Sequence, residues 1–395
     1  MKVLFIHCTY RQKGGEDTVV REEMELLRSK GVETSLLEFN NEGGWRSLLQ
    51  LPFNLSSYRK TKRKLREERP DVVHIHNLHF GASASVIHAV KSSGVPMVVT
   101  LHNYRLLCPS AVLFHKGELF TDSLQRGFPW KAIRLGVYRD SHVLTAWLAF
   151  SQLLHRCLGT WRLPERYIAL TPHARNLFLE AGLGLTEEQV VVKPNFSSMA
   201  VPEISVSHKQ FLYAGRLTEE KGIRLLLRVF AANRWPLRIA GSGPLEQEVM
   251  SYSKNFSHIR FLGRLTEVEM AAELASANAL IFPSLWYEGM PLALIESFAC
   301  GTPVIASRLG AMETMVTPGF NGLHFEAGGE QSLMDAVLHW QSLNTEEKKQ
   351  YKNNCLFTYE AFYTPCKNAA QLLSLYHELA GAEDSMVRAA LEMSL

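Results

Sequence analysis

The chain has 395 residues, a net charge of +3, 21% charged residues and 46% hydrophobic ones. That length exceeds what one core keeps adding to, so two domains are expected. The composition is that of an ordinary soluble globular protein with no disordered tail, and a charge this small gives no reason to expect a nucleic-acid partner.

In chain order, Lys2 to Cys8 is a predicted strand, and Gly14-Gly15 follows it as a loop. Asp17 is placed to cap a helix whose inner face carries Val20, Met24 and Leu27, ended by Gly31. Further strands are expected at Glu33 to Phe39, Asp71 to Asn77, Pro96 to Asn103, Tyr167 to Thr171 and Val190 to Phe196. Met199 to His208 is polar and strand-poor, and reads as a linker. The rhythm then restarts with Gln210 to Gly215, Leu237 to Gly241, Ile259 to Gly263, Ala279 to Ser284 and Pro303 to Ser307. Strands alternating with helical patterns predict α/β architecture, two doubly wound Rossmann-like domains over residues 1–198 and 199–360, with helices over 361–395. Each such domain binds ligands beyond the carboxyl ends of its strands. Met1 to His7 is too short for a signal peptide, and no apolar stretch reaches the ~20 residues needed to cross a bilayer. Val143 to Leu158 comes nearest, but Ser151, His155 and Arg156 interrupt it. Six cysteines lie far apart in no metal spacing, which suits a reducing cytosol.

The most informative segment runs from Tyr287 to Val304. Pro291 suits a first helical position and Gly301 a left-handed stop. The N–H groups of Gly289, Met290 and Leu292 would gather at a positive helix end, flanked by Glu288 and Glu296. An anion bearing hydroxyl-rich groups on both sides, such as a sugar nucleotide, fits that pattern. His74 and His76 alternate onto one strand face, and a shared metal is conceivable there. No cysteine or carboxylate nearby completes a recognised spacing, so acceptor contact is the favoured role for His76. Gly241-Ser242-Gly243-Pro244 invites a dinucleotide reading, but Glu246 stands where the third glycine belongs. Arg59, Lys60, Lys62, Arg63 and Lys64 form a dense basic run. It is either a solvated helix face, given Glu67 and Glu68, or a surface for an anionic membrane.

The spacing of Glu288 and Glu296 after Ile281-Phe282-Pro283-Ser284 resembles the retaining glycosyltransferases of family 4, which have the GT-B fold. Arg216-Leu217-Thr218-Glu219-Glu220-Lys221-Gly222 resembles that family's R-x4-K-G. Gly14-Gly15, Leu101-His102-Asn103-Tyr104, Gly241-Ser242-Gly243-Pro244 and Phe261-Leu262-Gly263-Arg264-Leu265 fall in the family's order. The resemblance implies two domains facing across a cleft, acceptor bound by the first and donor by the second, with the last helices crossing back to the first.

It further implies that Arg216 and Lys221 grip the diphosphate of a UDP- or GDP-sugar, so no metal or other cofactor is expected. Glu288 and His102 meet the transferred sugar or its transition state, and Glu296 takes the ribose hydroxyls. Gly14, Gly15 and Gly243 let backbone approach the donor, Gly289, Met290, Pro291 and Leu292 supply the helix end, and Arg264 with Leu265 meets the base. His76, Asn103 and Tyr104 fall on the acceptor side. A plain turn at the glycines and a satisfied strand-end histidine at position 102 are the alternatives. A glycan or lipid-linked acceptor, synthesis of a bacterial surface polysaccharide or glycolipid, and a cytoplasmic site on the inner face of the plasma membrane are the implied setting. A sugar-nucleotide epimerase of the same fold, or a non-catalytic glycan- or membrane-binding module, would share many of these features. Relatives carry two cysteines after a Gly-Glu pair; here Gly117-Glu118 is followed by none.

Overall fold

The computed structural model describes residues 1–9, 15–40, 48–79, 81–124, 127–201 and 210–381. The chain divides into two compact units, the first built from Met1–Val112, Thr121–Asn195 and the chain from Pro365, the second from Leu113–Phe120 and Phe196–Thr364.

The strands in chain order are β1 (Lys2–Thr9), β2 (Glu33–Asn40), β3 (Val72–Ile75), β4 (Met97–Leu101), β5 (Phe114–His115), β6 (Glu118–Leu119), β7 (Arg166–Ala169) and β8 (Val190–Val192). They continue with β9 (Phe211–Ala214), β10 (Leu237–Ala240), β11 (Ile259–Gly263), β12 (Leu280–Phe282), β13 (Val304–Ser307) and β14 (Gly322–Phe325).

The first unit holds a parallel sheet in the order β2-β1-β3-β4-β7-β8. Its central strands are continuous apolar runs because both faces are covered; Val3, Leu4, Phe5, Val72, Val73 and Ile75 are all fully buried. The order reverses between β1 and β3, so the loops leaving those strands flank a crevice at the sheet's carboxyl edge. The second unit repeats the plan in the order β11-β10-β9-β12-β13-β14, again parallel. Its reversal lies between β9 and β12. The loops that leave these two strands are 215–222 and 283–291, the segments that hold the sequence's most distinctive charges.

Local chemistry sets the helix ends. Asn54 caps Leu55–Glu68 by accepting from the Ser57 amide. Thr266 with Glu269 and Asn344 with Glu347 form capping boxes for Glu267–Ser276 and Thr345–Phe362. The helix Pro365–Ala380 packs in the first unit, where its Tyr376 hydroxyl lies 2.6 Å from His74 Nδ1 and Asn368 donates to Pro194 O.

Several expectations need correction. Pro291 is the cap residue, not the first helical one: its ψ of 115° is extended, and the helix runs Leu292–Ala299. Gly301 does take the left-handed conformation, with φ 63°. Asp17 does not cap; the helix already begins at Gly15, and the Asp17 carboxylate turns inward to His7 Nε2 at 2.9 Å. Lys221 closes a short turn, Glu219–Lys221, and Gly222 at φ 70° leads into Ile223–Asn233. β14 and the β5–β6 hairpin were not foreseen. The linker expected at Met199 to His208 lies mostly outside the described residues, as does Gly14. Among the described residues, no helix is long and apolar enough to cross a membrane.

Candidate active site

In the second unit, three loops at the carboxyl edge are locked backbone to backbone. Leu217 N donates to Ser242 O, Leu245 N to Leu217 O, and Leu285 N to Glu220 O. Two glycines are required by that closeness: a Cβ at Gly222 would stand 1.8 Å from Pro283 O, and one at Gly241 1.8 Å from Gly215 O. Gly243 is similarly confined by the Leu217 backbone. The Gly241-Ser242-Gly243 motif is therefore accounted for by loop packing. Tyr213, buried in β9, donates to Arg216 O at 2.7 Å. Burial, reinforced by the Glu288 charge, holds that phenol well above its usual range, so it stays a donor.

This packing brings Lys221 and Glu288 together. Lys221 Nζ lies 2.6 Å from Glu288 Oε1, and Ser284 Oγ donates to the same oxygen at 2.7 Å. Glu288 is buried, and Lys221 lies 5.2 Å from the Trp286 ring centroid. Glu288 is therefore not an exposed loop carboxylate. Arg216 is exposed on the loop after β9. Gly289, Met290, Pro291 and Leu292 form the approach to the Leu292–Ala299 helix, and Glu296 sits half-buried within it. Arg264 is exposed and Leu265 half-buried just past β11, where Gly263 has φ 71°.

In the first unit, the expected histidines meet residues the sequence did not single out. His74 and His76 have ring centroids 4.0 Å apart, as strand alternation predicts. Glu23, on the inner face of the Gly15–Ser29 helix, brings Oε2 to 3.4 Å from His76 Nε2. His76 Nδ1 in turn lies 2.9 Å from His102 Nε2. Lys193, just beyond β8, places Nζ 2.6 Å from Glu23 Oε1; both side chains are buried.

Glu23, His74 and His76 could between them offer a metal three ligand atoms within 4.8 Å. That carboxylate already has a buried ammonium, and the His74 nitrogens lie 2.6 Å from Tyr376 Oη and 2.7 Å from Thr100 Oγ1. His74 thus has both nitrogens occupied and Glu23 is matched to Lys193, while among the described residues Glu23 Oε2 and His76 Nε2 have only one another, at 3.4 Å. Burial would raise the Glu23 carboxyl, but Lys193 together with His74 and His102 outweighs this, and the group lies below the usual carboxylate range. Burial, with neighbouring positive charge, depresses His74 and His76 well below 6.5, and burial lowers His102.

Glu16 bridges the strand ends, accepting from Asn77 Nδ2 at 3.3 Å and Asn103 Nδ2 at 3.1 Å. Tyr104 is 2% exposed and stacks on Phe178, so it serves the core and not an acceptor face. Gly15 opens the helix. A cavity of about 130 Å³ lies beside His102, with Leu51, Ile87, Leu148 and Trp161 as its apolar wall.

The basic helix does not present its five expected cations together. Lys60 Nζ bonds Glu38 O, Lys62 Nζ bonds Ser92 O, and Lys64 pairs with Glu68 at 2.6 Å. Arg59, Arg63 and Arg66 share the exposed face, with Leu55 one turn before them.

The model for Glycosyltransferase Family 4 matches residues 13–196, and that for Glycosyl transferases group 1 matches residues 197–355. The chain belongs to the family 4 glycosyltransferases. It is 30% identical over 141 residues to an uncharacterized glycosyltransferase of Methanocaldococcus jannaschii, a match spanning 35% of this chain and 39% of that one. It is 26% identical over 352 residues to the phosphatidyl-myo-inositol mannosyltransferase of Mycobacterium leprae, covering 82% of this chain and 83% of the relative. Sucrose-phosphate synthase from Thermosynechococcus elongatus superposes with a TM-score of 0.72 at 17% identity, over 97% of this chain and 100% of the other. HepE of Anabaena, solved in complex with UDP, superposes at 0.69 and 16% identity, over 96% and 100%. Two Rossmann-like α/β units of the GT-B class are the fold of this glycosyltransferase.

Proposed function

We propose that this glycosyltransferase moves a sugar from a UDP- or GDP-sugar to a glycan or lipid-linked acceptor, with retention at the anomeric carbon and without a metal, in the synthesis of a bacterial surface polysaccharide or glycolipid. The observation that carries the reading is the Lys221–Glu288 pair at the strand-order reversal of the second sheet, beside the exposed Arg216. Ligands of doubly wound sheets bind at that edge. Arg216 offers a planar fork and Lys221 a point charge, a complementary pair for a diphosphate. The uridine diphosphate held by HepE and the mannosyl transfer named for the Mycobacterium relative support a nucleotide-sugar donor.

In this reading the bond between the anomeric carbon and the diphosphate oxygen breaks, and the nucleoside diphosphate leaves. The acceptor oxygen bonds to the same face of that carbon, and its proton passes to the departing phosphate. Glu288 and His102 hold the sugar or its developing charge, Glu296 takes the ribose hydroxyls, and Arg264 with Leu265 meets the base. Gly289, Met290 and Leu292 lend amides to the phosphate edge. Gly15 lets backbone approach the donor, and Asn103 lies on the acceptor side, where the apolar cavity suits a small hydrocarbon piece of a lipid-linked acceptor; a 150 Å³ apolar cavity takes up benzene. The His76 side chain is fully buried, so the acceptor contact expected of it is not a direct one.

The exposed Arg59, Arg63 and Arg66 face, with Leu55, supports docking on an anionic membrane from the cytoplasmic side. Incubating the protein with UDP- and GDP-sugars in EDTA, with and without acceptor lipid, tests the reading. A glycosylated product with the donor's anomeric configuration is expected. An epimerised nucleotide sugar formed without acceptor, or an inverted product, would contradict it.

A further inference from the structure

We propose that Glu23, paired with Lys193, acts through His76 to fix His102 in the tautomer protonated on Nε2, so that His102 meets a substrate hydroxyl only as a hydrogen-bond acceptor. This rests on the reading of His102 as a substrate contact. The chain of contacts lies wholly in the first unit: Lys193 Nζ to Glu23 Oε1 at 2.6 Å, Glu23 Oε2 to His76 Nε2 at 3.4 Å, and His76 Nδ1 to His102 Nε2 at 2.9 Å.

The tautomers follow from elementary electrostatics. Among the described residues, Glu23 Oε2 and His76 Nε2 are both buried without a hydrogen-bond partner and lie 3.4 Å apart. A lone pair on Nε2 would confront the carboxylate, whereas a proton there is attracted to it, so His76 carries its hydrogen on Nε2. A neutral imidazole has one donor nitrogen, which leaves His76 Nδ1 as an acceptor. Only a hydrogen on His102 Nε2 then satisfies the 2.9 Å contact. His102 Nδ1 keeps its lone pair.

Lys193 gives the relay its particular character. Without it, the buried carboxylate would draw a proton onto the imidazoles and make His102 a cation. With an ammonium on its other oxygen, Glu23 orients His76 while both imidazoles stay neutral. Among the described residues, His74, Tyr376, Glu16 and the His7–Asp17 pair are the other titratable groups beside these rings; His74 is held by Tyr376 and Thr100, Glu16 by Asn77 and Asn103, and Asp17 by His7. Glu23, Lys193 and His76 are positioning residues, because they reach the substrate only through His102.

The test is a long-range proton–nitrogen correlation spectrum of the full-length protein labelled with 15N-histidine, assigned with His76→Gln and His102→Gln. Protonated Nε2 and bare Nδ1 on both rings is the expected result; a proton on Nδ1 of either ring would overturn the proposal. The wild-type spectrum depends on no variant folding and on no choice of donor, so it is read separately from the proposed reaction. The paired variant Glu23→Met with Lys193→Met removes both charges together. It should release His102 into both tautomers and lower kcat roughly five- to tenfold, the worth of one hydrogen bond, with nucleoside diphosphate affinity unchanged. A single surviving tautomer, or wild-type kcat, would count against the relay.

Discussion

Lys221 Nζ stands 2.6 Å from Glu288 Oε1, so the cation proposed to meet the donor diphosphate is already matched to a buried carboxylate. Glu288 therefore sets how much of the Lys221 charge a phosphate can use. Removing that carboxylate charge while keeping the shape should free the ammonium. Glu288→Gln is expected to bind nucleoside diphosphate more tightly, by a few-fold, while transfer falls by about a hundredfold or more. Calorimetry and initial rates check the two halves, and weaker binding would show that the pair acts as one unit.

The same contact bears on stability. Lys221→Ala takes the ammonium away from the buried Glu288 carboxylate, to which the Ser284 hydroxyl still donates. A stranded buried charge costs about 2 kcal/mol after local relaxation, and the melting of the second unit should fall by roughly 4–8 °C. From sequence alone Lys221 reads as a diphosphate contact whose loss would weaken donor binding and leave the thermal midpoint almost unchanged. A scanning calorimetry trace identical to wild type would restore that simpler view.

Glycine at 222 should be far less replaceable than glycine at 263. Both have φ near 70°, but a Cβ at Gly222 meets Pro283 O at 1.8 Å, whereas at Gly263 nothing lies within 4 Å. Gly263→Ala should cost only its backbone strain, ~1 kcal/mol, and Gly222→Ala should also part the two loops and abolish nucleotide binding. Equal effects in thermal melts and calorimetry would contradict the packing account.

The first unit should weaken in mild acid. His74, His76, His79 and His102 have folded values depressed below 6.5. The unfolded chain therefore binds protons first as pH falls below 6.5, and stability present above that value is lost on the way down. Each such histidine contributes up to ~1.4 kcal/mol per pH unit in that window. Glu23, whose folded value is lowered, adds a loss at more acidic pH, below the ordinary carboxylate range. Hydrogen exchange of β1, β3 and β4 at pH 7.5 and 5.5 should show protection falling sharply at the lower value, and flat protection would contradict the burial effect.

The alternation of strands and helices was legible because buried parallel strands are plain apolar runs; β1, β9 and β11 fall where such runs predict them. β14 was missed because Gly322-Leu323-His324-Phe325 is short and polar at its third position. Lys221, Glu288 and Arg216 were legible as motif residues, but their pairing was not: residues 67 positions apart meet only because Gly222 lets the loops close. Glu23 left a signal that was overlooked, a carboxylate on the stripe of Val19, Val20, Met24 and Leu27. A charge in an apolar stripe needs a partner, and Lys193 gave no hint of being that partner from beyond β8. In the basic run, composition cannot tell which cations turn in to carbonyls of neighbouring segments, as Lys60 does to Glu38 and Lys62 to Ser92.

Titration of UDP and GDP into the full-length protein in EDTA, with wild type, Arg216→Ala and Lys221→Ala compared, tests the central claim most directly. Saturable binding of one nucleotide without divalent ions, weakened about tenfold or more by each substitution, is the predicted result. Binding that needs a divalent ion, or that neither substitution alters, would contradict it.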